Sequence, residues 1–501
     1  MARKGNSKRR RNSKSRTKQG KRLPQKTQPQ DTNAEHFRTF LQWLLPSDCI
    51  FRDLKLHGNT SWLPRTLVCL ALCWTWAENK NVTDSFTYAV GWCRCVADGS
   101  VLSTYQGMMN ALVRWTDSLI PILWRVVHQK MKQIGEDFWE TAGWVPIAFD
   151  GSRDAAPRTQ ANEDAFCAPN YGKGKTARYR KKKTKGMRKG KNEKNKAAPP
   201  APQVWITLLW HMGLRLPWTW RLGPSNSSER GHVMEMVGEG KFPKNTLFCG
   251  DAGFVGYPLW SLIIEKGFQF LVRVGGNVNL LTEQANCTLT SNMTVLCWPQ
   301  DAIKLGLPPL RLRLVKIRVG KTWMWLLTSV LNKSKLTLTQ IRALYKQRWG
   351  IEVEFRGLKQ TLDKAKLRCR NEQRVKIELH WSLMGMTIAE LFALKEQLSK
   401  KRSSPTPRVP PPDPNKRSLA GTVRAMRFCL AHLKEAPAAG ETLLDKLRVA
   451  VTDEYKRNAP KRARYHPPNP DKKPLGEPKL RRLNAKEKKK LKAISNKQLL
   501  I

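Results

Sequence analysis

The sequence predicts an α/β fold, with a helical region first, a sheet-based core after it, a β-rich insertion late in that core, and basic ends outside the packed structure. Three observations predict this. Beyond about residue 140, short apolar runs of strand length alternate with helix-period segments, the pattern of a sheet covered on both faces. Two of the runs lead into an aspartate, Val145-Pro-Ile-Ala-Phe-Asp150 and Thr246-Leu-Phe-Cys-Gly-Asp251, and open α/β sheets place their chemistry at strand ends. A third acid, Glu352, stands on a helix whose neighbouring stripe is apolar.

Bulk properties bound the function before any motif is read. A chain of 501 residues has room for two or three domains. Its net charge of +52 points to a polyanionic partner, nucleic acid before membrane. Residues 1–30, 171–200 and 458–501 hold 35 of those net charges, so the remainder is only moderately basic. The eleven cysteines are scattered and odd in number, and no secretory signal is visible, which predicts a reduced, cytoplasmic protein. Cys69-x3-Cys73 and Cys93-x-Cys95 are the close pairs; their spacing suits tetrahedral zinc poorly, so they read as buried thiols. No apolar run reaches the ~18 residues of a membrane span.

Residues 1–33 bury too little to fold and read as a disordered basic arm that meets phosphates without reading sequence. Residues 34–140 form a helical N-terminal domain, with apolar residues at helical spacing in Phe37-Phe40-Leu41-Leu44 and Leu112-Trp115-Leu119-Leu123. Within it, Val82 to Trp115 fits either a helix-turn-helix on DNA or a helical cap on the core. Residues 141–275 and 331–395 form the core. Its strands end at Asp150, run over 204–210 and 218–222, deliver Asp251 from 246–249, and close with 268–274. Residues 167–203, rich in Lys, Gly and Pro, form a disordered loop between the first two strands.

Residues 276–330 form the β-rich insertion. In it, Leu310–Val319 is a two-period strand, basic on one face, that turns at Gly320-Lys321 into Trp323–Leu327. Thr337-Leu-Thr-Gln340 reads as a capping box that starts the helix bearing Glu352. His380–Leu394 is a nearly continuous apolar helix packed under the sheet. Residues 396–457 supply a linker and two helices, and 458–501 a second disordered basic tail.

On a helical wheel, Tyr345, Arg348, Glu352 and Lys359 share a stripe about 60° wide, beside an apolar stripe of Leu344, Ile351, Phe355, Leu358 and Leu362. Glu354, the rival acid, falls about 180° away and is set aside. Tyr345-x2-Arg348-x3-Glu352-x6-Lys359 resembles the YREK signature of bacterial cut-and-paste DDE transposases of the insertion-sequence-four family. Asp251-x-Gly253-Phe254 and Asp150-Gly151 resemble that family's two aspartate motifs, and the resemblance covers roughly residues 140–395. It implies an RNase H-like catalytic core with a β insertion before the glutamate helix, a place on the nucleoid of a bacterium, double-stranded DNA as partner (transposon ends and target), and a dimer on that DNA.

The resemblance also implies the chemistry. Asp150, Asp251 and Glu352 would hold two Mg²⁺ ions, Mn²⁺ substituting, with Asp150 bridging both; carboxylates suit hard cations that stabilise attacking and leaving oxygens. Tyr345, Arg348 and Lys359 would meet terminal phosphates. Trp349 would hold a flipped base or else pack in the core. Cleavage, a hairpin intermediate, its reopening and strand transfer would follow at one site. Two other readings stand beside this one. An RNase H-like nuclease without strand transfer needs the acids but not the Tyr/Arg/Lys stripe. A non-catalytic basic nucleic-acid-binding protein needs only the charge.

Overall fold

A computed structural model describes residues 32–58, 60, 62–78, 81–167, 202–284, 287–319, 322–399, 413–452 and 475–498. Nearly all of the expected N-terminal arm and of the Lys-rich loop, the Gly320-Lys321 turn and most of the 400–416 linker lie outside those residues, while Thr32 and Asn33 of the arm cap and begin the first helix.

Ten strands organise the described residues: β1 (Val145–Ala155), β2 (Gln203–His211), β3 (Leu216–Gly223), β4 (Thr246–Gly250), β5 (Gln269–Val274), β6 (Asn279–Thr282), β7 (Met293–Cys297), β8 (Leu310–Val319), β9 (Thr322–Thr328) and β10 (Lys479–Arg482). They form one mixed sheet in the order β10-β6-β7-β8-β9-β5-β4-β1-β2-β3. β1, β2 and β3 are an antiparallel meander, while β1, β4 and β5 run parallel. The fold is therefore mixed α/β, as the alternation of strand and helix patterns predicts.

Two features of the sheet differ from expectation. The first strand does not end at Asp150. Its antiparallel pairing with β2 runs on to Ala155 opposite Gln203, after β4 has already stopped at Gly250. The β-rich insertion is also continuous with the core. β9 pairs antiparallel with β5, Leu271 opposite Thr328, so backbone hydrogen bonds join the insertion to the same sheet.

Helix Glu372–Ser399 is buried almost all round, as an apolar helix without a polar face must be. The N-terminal helices pack on it. Phe40 stacks on Phe392 with ring centroids 4.4 Å apart. The Trp76 indole donates to Gly385 O at 2.9 Å, and the Trp381 indole donates to Thr116 Oγ1 at 2.9 Å. Helices Val82–Val96 and Tyr105–Ile134, the candidate helix-turn-helix, bury their apolar faces in this same continuous core. The cysteines of the close pairs are free thiols, buried at 69, 73 and 93. No helix among the described residues is long and apolar enough to cross a membrane.

The largest departure is at the C-terminus. Residues 475–498, expected within a disordered tail, fold back on the sheet edge. β10 lies parallel to β6, and helix Ala485–Gln498 follows. Gly276 N donates to Leu475 O at 2.7 Å. Glu477 accepts from Lys316 at 3.0 Å and from the Trp325 indole at 3.1 Å, and Glu487 accepts from Arg481 at 2.6 Å. Composition averaged over 458–501 hides these anchors: one buried leucine, Leu483, and two acids that neutralise specific cations.

Candidate active site

The last register pair on the β1/β4 ladder is Ala148 with Cys249. Asp150 and Asp251 each lie two residues further, so they stand level, Asp150 within β1 and Asp251 just past the end of β4, on strands whose axes are roughly 5 Å apart where they pair. Because β4 ends first, the edge of β1 is open at Asp150. Each aspartate accepts from a nearby glycine amide, the first within β1 and the second in the turn after β4. Gly151 N donates to Asp150 Oδ1 at 2.8 Å, and Gly253 N donates to Asp251 Oδ1 at 2.7 Å.

The glutamate arrives on a helix that starts as predicted. Gln340 N donates to Thr337 Oγ1 at 3.3 Å and Thr337 N to Gln340 Oε1 at 2.8 Å, a complete capping box. The helix is not uniform, however. α-Helix Leu338–Gln347 passes through a turn at Arg348-Trp349, resumes as Gly350–Arg356, and widens into a π turn over Gly357–Thr361. Bonds of i+3 type, Ile351 N to Arg348 O and Glu352 N to Trp349 O, give way to an i+5 bond from Leu362 N to Gly357 O. The apolar stripe Leu344, Ile351, Phe355, Leu358, Leu362 is buried throughout. Gly350 lets this helix press on β2: a Cβ there would overlap the Trp210 ring, with Cζ3 at 2.7 Å.

Arg348 links the helix to the strand. Its Nη2 donates to Glu352 Oε1 at 3.1 Å, and its Nη1 lies 4.0 Å from Asp150 Oδ2. Arg348 is only 7% exposed, and its Nε and Nη1 have no hydrogen-bond partner among the described residues. Its carbon sits 5.5 Å from the centre of the buried Tyr345 ring. Asp150, Glu352, Arg348 and Tyr345 are thus in one cluster, with Asp251 just past the end of the adjacent strand.

Lys359 is not in that cluster, which corrects the single-stripe expectation. Its Nζ donates to Arg153 O at 2.9 Å and lies 3.5 Å from Asp154 Oδ1. That is four residues beyond Asp150 along β1, roughly 13 Å of strand. The physical reason is the tight turn and the π turn, which carry the helix out of a uniform 100° phase. Trp349 is 56% exposed, so the core-packing alternative is overturned. Glu354 faces inward at 5% exposure beside Glu390 and Arg417, and burial with the Glu390 charge pushes its carboxyl up.

One acid of the site was invisible in the sequence. Glu229 opens helix Glu229–Glu239 and belongs to none of the motifs read from the sequence. Burial, then Asp150 and Asp251, push its carboxyl up to about 7. Burial likewise raises Asp150 to about 6; the Gly151 amide and Arg348 oppose that rise, and Asp251 and Glu352 add to it. Crowded carboxylates that resist ionisation mark a place where positive charge is stabilised. The donor set is oxygen-only, which suits Mg²⁺ or Mn²⁺. Among the described residues no three of His, Cys, Asp or Glu converge as ligands, and Arg348 sits between Asp150 and Glu352.

Comparison with known proteins bears on this site. A family described as "Transposase DDE domain" matches residues 147–388, a span that contains Asp150, Asp251 and Glu352. A Sinorhizobium fredii (strain NBRC 101917 / NGR234) protein named "Putative transposase y4zB" is 29% identical over 152 residues, 28% of this chain and 41% of that protein. The chain therefore spans less than half the length of this curated relative. A cryo-EM structure of the piggyBac transposase synaptic complex with hairpin DNA aligns over 88% of this chain and 81% of that chain, at 14% identity and a TM-score of 0.34.

Proposed function

We propose that this chain is a DDE transposase of the insertion-sequence-four type, which cuts DNA at element ends and joins them to a target. The observation that carries the proposal is the level pair Asp150 and Asp251, tied through Arg348 to Glu352, inside a span that matches a transposase DDE domain. The sheet order β3-β2-β1-β4-β5, antiparallel then parallel, supports an RNase H-like core.

Asp150, Asp251 and Glu352 are the residues that would hold Mg²⁺ or Mn²⁺, two ions in all, whose charge would stabilise the attacking and leaving oxygens of an in-line displacement. The rest of the chemistry lies in side chains. Arg348, buried with two unsatisfied nitrogens, meets a phosphate oxygen beside the scissile bond. Its bond to Glu352 keeps that carboxylate turned to the strand edge until DNA arrives. Tyr345 backs the guanidinium with its ring face. Trp349, exposed one residue further on, supplies a stacking surface for an unpaired base. Lys359, anchored at the far end of β1, meets a more distant phosphate. Seven basic residues of the C-terminal segment extend the surface for duplex DNA: Lys479, Arg482, Lys486, Lys488, Lys489, Lys490 and Lys492. Bringing two ends together implies a dimer on DNA.

The test is in-gel cleavage and strand transfer of linear DNA carrying the element's ends, in Mg²⁺, for the native chain and Glu352→Gln. Metal-dependent nicking and joining that vanish in Glu352→Gln, with DNA binding kept, is the expected result. Cleavage without joining would favour the nuclease. Binding without cleavage in either protein would leave a DNA-binding protein and sink the proposal.

A further inference from the structure

The strand that carries Asp150 carries a second acid on the same face. Asp150 and Asp154 are four residues apart on β1, and strand residues at that spacing point the same way. The segment that follows the π turn closes over the end of this strand. Ala155 N donates to Ala365 O at 3.2 Å, and Leu367 N donates to Ala155 O at 2.7 Å. Beneath it the Asp154 side chain has no accessible surface, and neither carboxylate oxygen has a hydrogen-bond partner among the described residues. A buried charge left in that state lowers stability, so its presence calls for a cause other than folding.

A second buried acid nearby shows the contrast. Glu378 Oε1 accepts from Lys364 at 2.9 Å, and its Oε2 accepts from the Arg368 and Cys369 amides at 2.9 and 3.0 Å. Both of its oxygens are satisfied, as those of a structural anchor must be. Asp154 has no such donors. It faces Lys359 Nζ at 3.5 Å, and Lys364, the other cation that acts on it, is engaged by Glu378.

Lys359 is placed to serve two sides at once. An ammonium carries three protons. One bonds Arg153 O at 2.9 Å and one faces Asp154, while the side chain keeps 31% of its surface exposed, so the third is open to an oxygen from outside. The π turn over Gly357–Thr361 is what carries Lys359 to this position, and such turns are frequent at functional sites.

We propose that Asp154 is a positioning residue: its buried carboxylate fixes the Lys359 ammonium at the end of β1 with one N–H turned outward to a DNA phosphate. This rests on the reading of Lys359 as a phosphate contact. Asp154 touches no DNA itself. An acid so close to a phosphate-binding lysine weakens the general attraction for DNA, and what it supplies in return is direction. The lysine, on a flexible four-carbon stem, is held at a set distance along β1 from Asp150.

The experiment measures single-turnover cleavage at saturating linear DNA carrying the element's ends, in Mg²⁺, with DNA affinity and thermal unfolding at pH 7. It compares the native full chain, Asp154→Asn, Lys359→Met and the double variant. Asp154→Asn should melt no lower than the native chain and bind DNA no more weakly, because it removes a buried negative charge. It should nevertheless cut about 10-fold more slowly, within the roughly 100-fold that misplacing a group can cause. Lys359→Met should bind more weakly and cut more slowly, and the double variant should cut no more slowly than Lys359→Met alone, because Asp154 then has nothing to aim. If the Asn variant fails to fold, Asp154→Ser, neutral and smaller, gives the same comparison. Native cleavage in Asp154→Asn beside slow cleavage in Lys359→Met would overturn the inference and leave the reading of Lys359 intact. A double variant slower than Lys359→Met by the full Asp154→Asn factor would do the same. Native binding and cleavage in Lys359→Met would overturn that reading and the inference with it.

Discussion

At the scale of single residues, the site gives up stability to concentrate charge. Asp154 is the clearest case. Its side chain is fully inaccessible, neither carboxylate oxygen has a hydrogen-bond partner, and Lys359 stands 3.5 Å away. Burial pushes it up to about 6, against partial relief from Lys359. A carboxyl whose folded value exceeds its unfolded value of about 3.9 binds its proton more tightly when folded. Its contribution to stability is therefore complete below about pH 4 and is lost as the pH rises through 6. Two units correspond to about 3 kcal/mol, most of it lost as the pH rises from about 4 to about 6. Asp154→Asn should remove about 2 kcal/mol of that pH-dependent loss, seen as a flatter dependence of the unfolding midpoint on pH in metal-free buffer. A slope as steep as the native one would show that Asp154 ionises freely. Trp349 makes the opposite case. With its ring half in solvent, Trp349→Ala should leave the melting temperature unchanged and weaken binding to DNA with an unpaired end base by about 1–3 kcal/mol.

At the scale of elements, the site depends on how closely the glutamate helix lies on the sheet. Gly350 is where the two touch, and Trp210 beneath it has no exposed surface. Gly350→Ala forces the helix outward or the indole out of its packing, at a cost of about 1–3 kcal/mol. It should lower cleavage far more than DNA binding, because Glu352 and Arg348 move together away from Asp150. Unchanged cleavage would mean that the helix already sits loosely. The cap at Thr337 is a milder lever on the same helix: Thr337→Ala should cost about 1 kcal/mol in unfolding free energy.

At the scale of the whole molecule, one sheet carries both the site and the insertion, and the C-terminal segment closes its far edge. That segment uses its acids internally, Glu477 on Lys316 and Glu487 on Arg481, and so leaves its lysines to face outward. Replacing Lys486, Lys488, Lys489, Lys490 and Lys492 with Gln should weaken duplex binding without regard to sequence. For every phosphate that these lysines neutralise in the native complex, the dependence of log Kobs on log salt should flatten by about 0.9. An unaltered slope would remove this surface from the DNA path.

Local signals carried much of the molecule. The core strands and the 310–319 and 323–327 pair, the capping box, the buried stripe from Leu344 to Leu362 and the exclusion of Glu354 follow from side-chain period and polarity, which neighbouring residues determine on their own. The sequence alone also marked Asp150, Asp251 and Glu352, because acids after apolar runs and on a half-buried helix stand out against their surroundings. Other features depend on packing between distant segments. Glu229 meets the aspartates only because the helix after β3 folds over two glycines, Gly151 in β1 and Gly253 in the turn after β4. Lys359 leaves the cluster because a tight turn and a π turn shift its helix out of phase. Residues 475–498 become structure because the edge of β6, roughly two hundred residues earlier in the chain, offers unpaired backbone for them to bond. Periodicity records which face of an element is apolar; which faces meet is decided by pairings between distant segments, and those exist only in the folded chain.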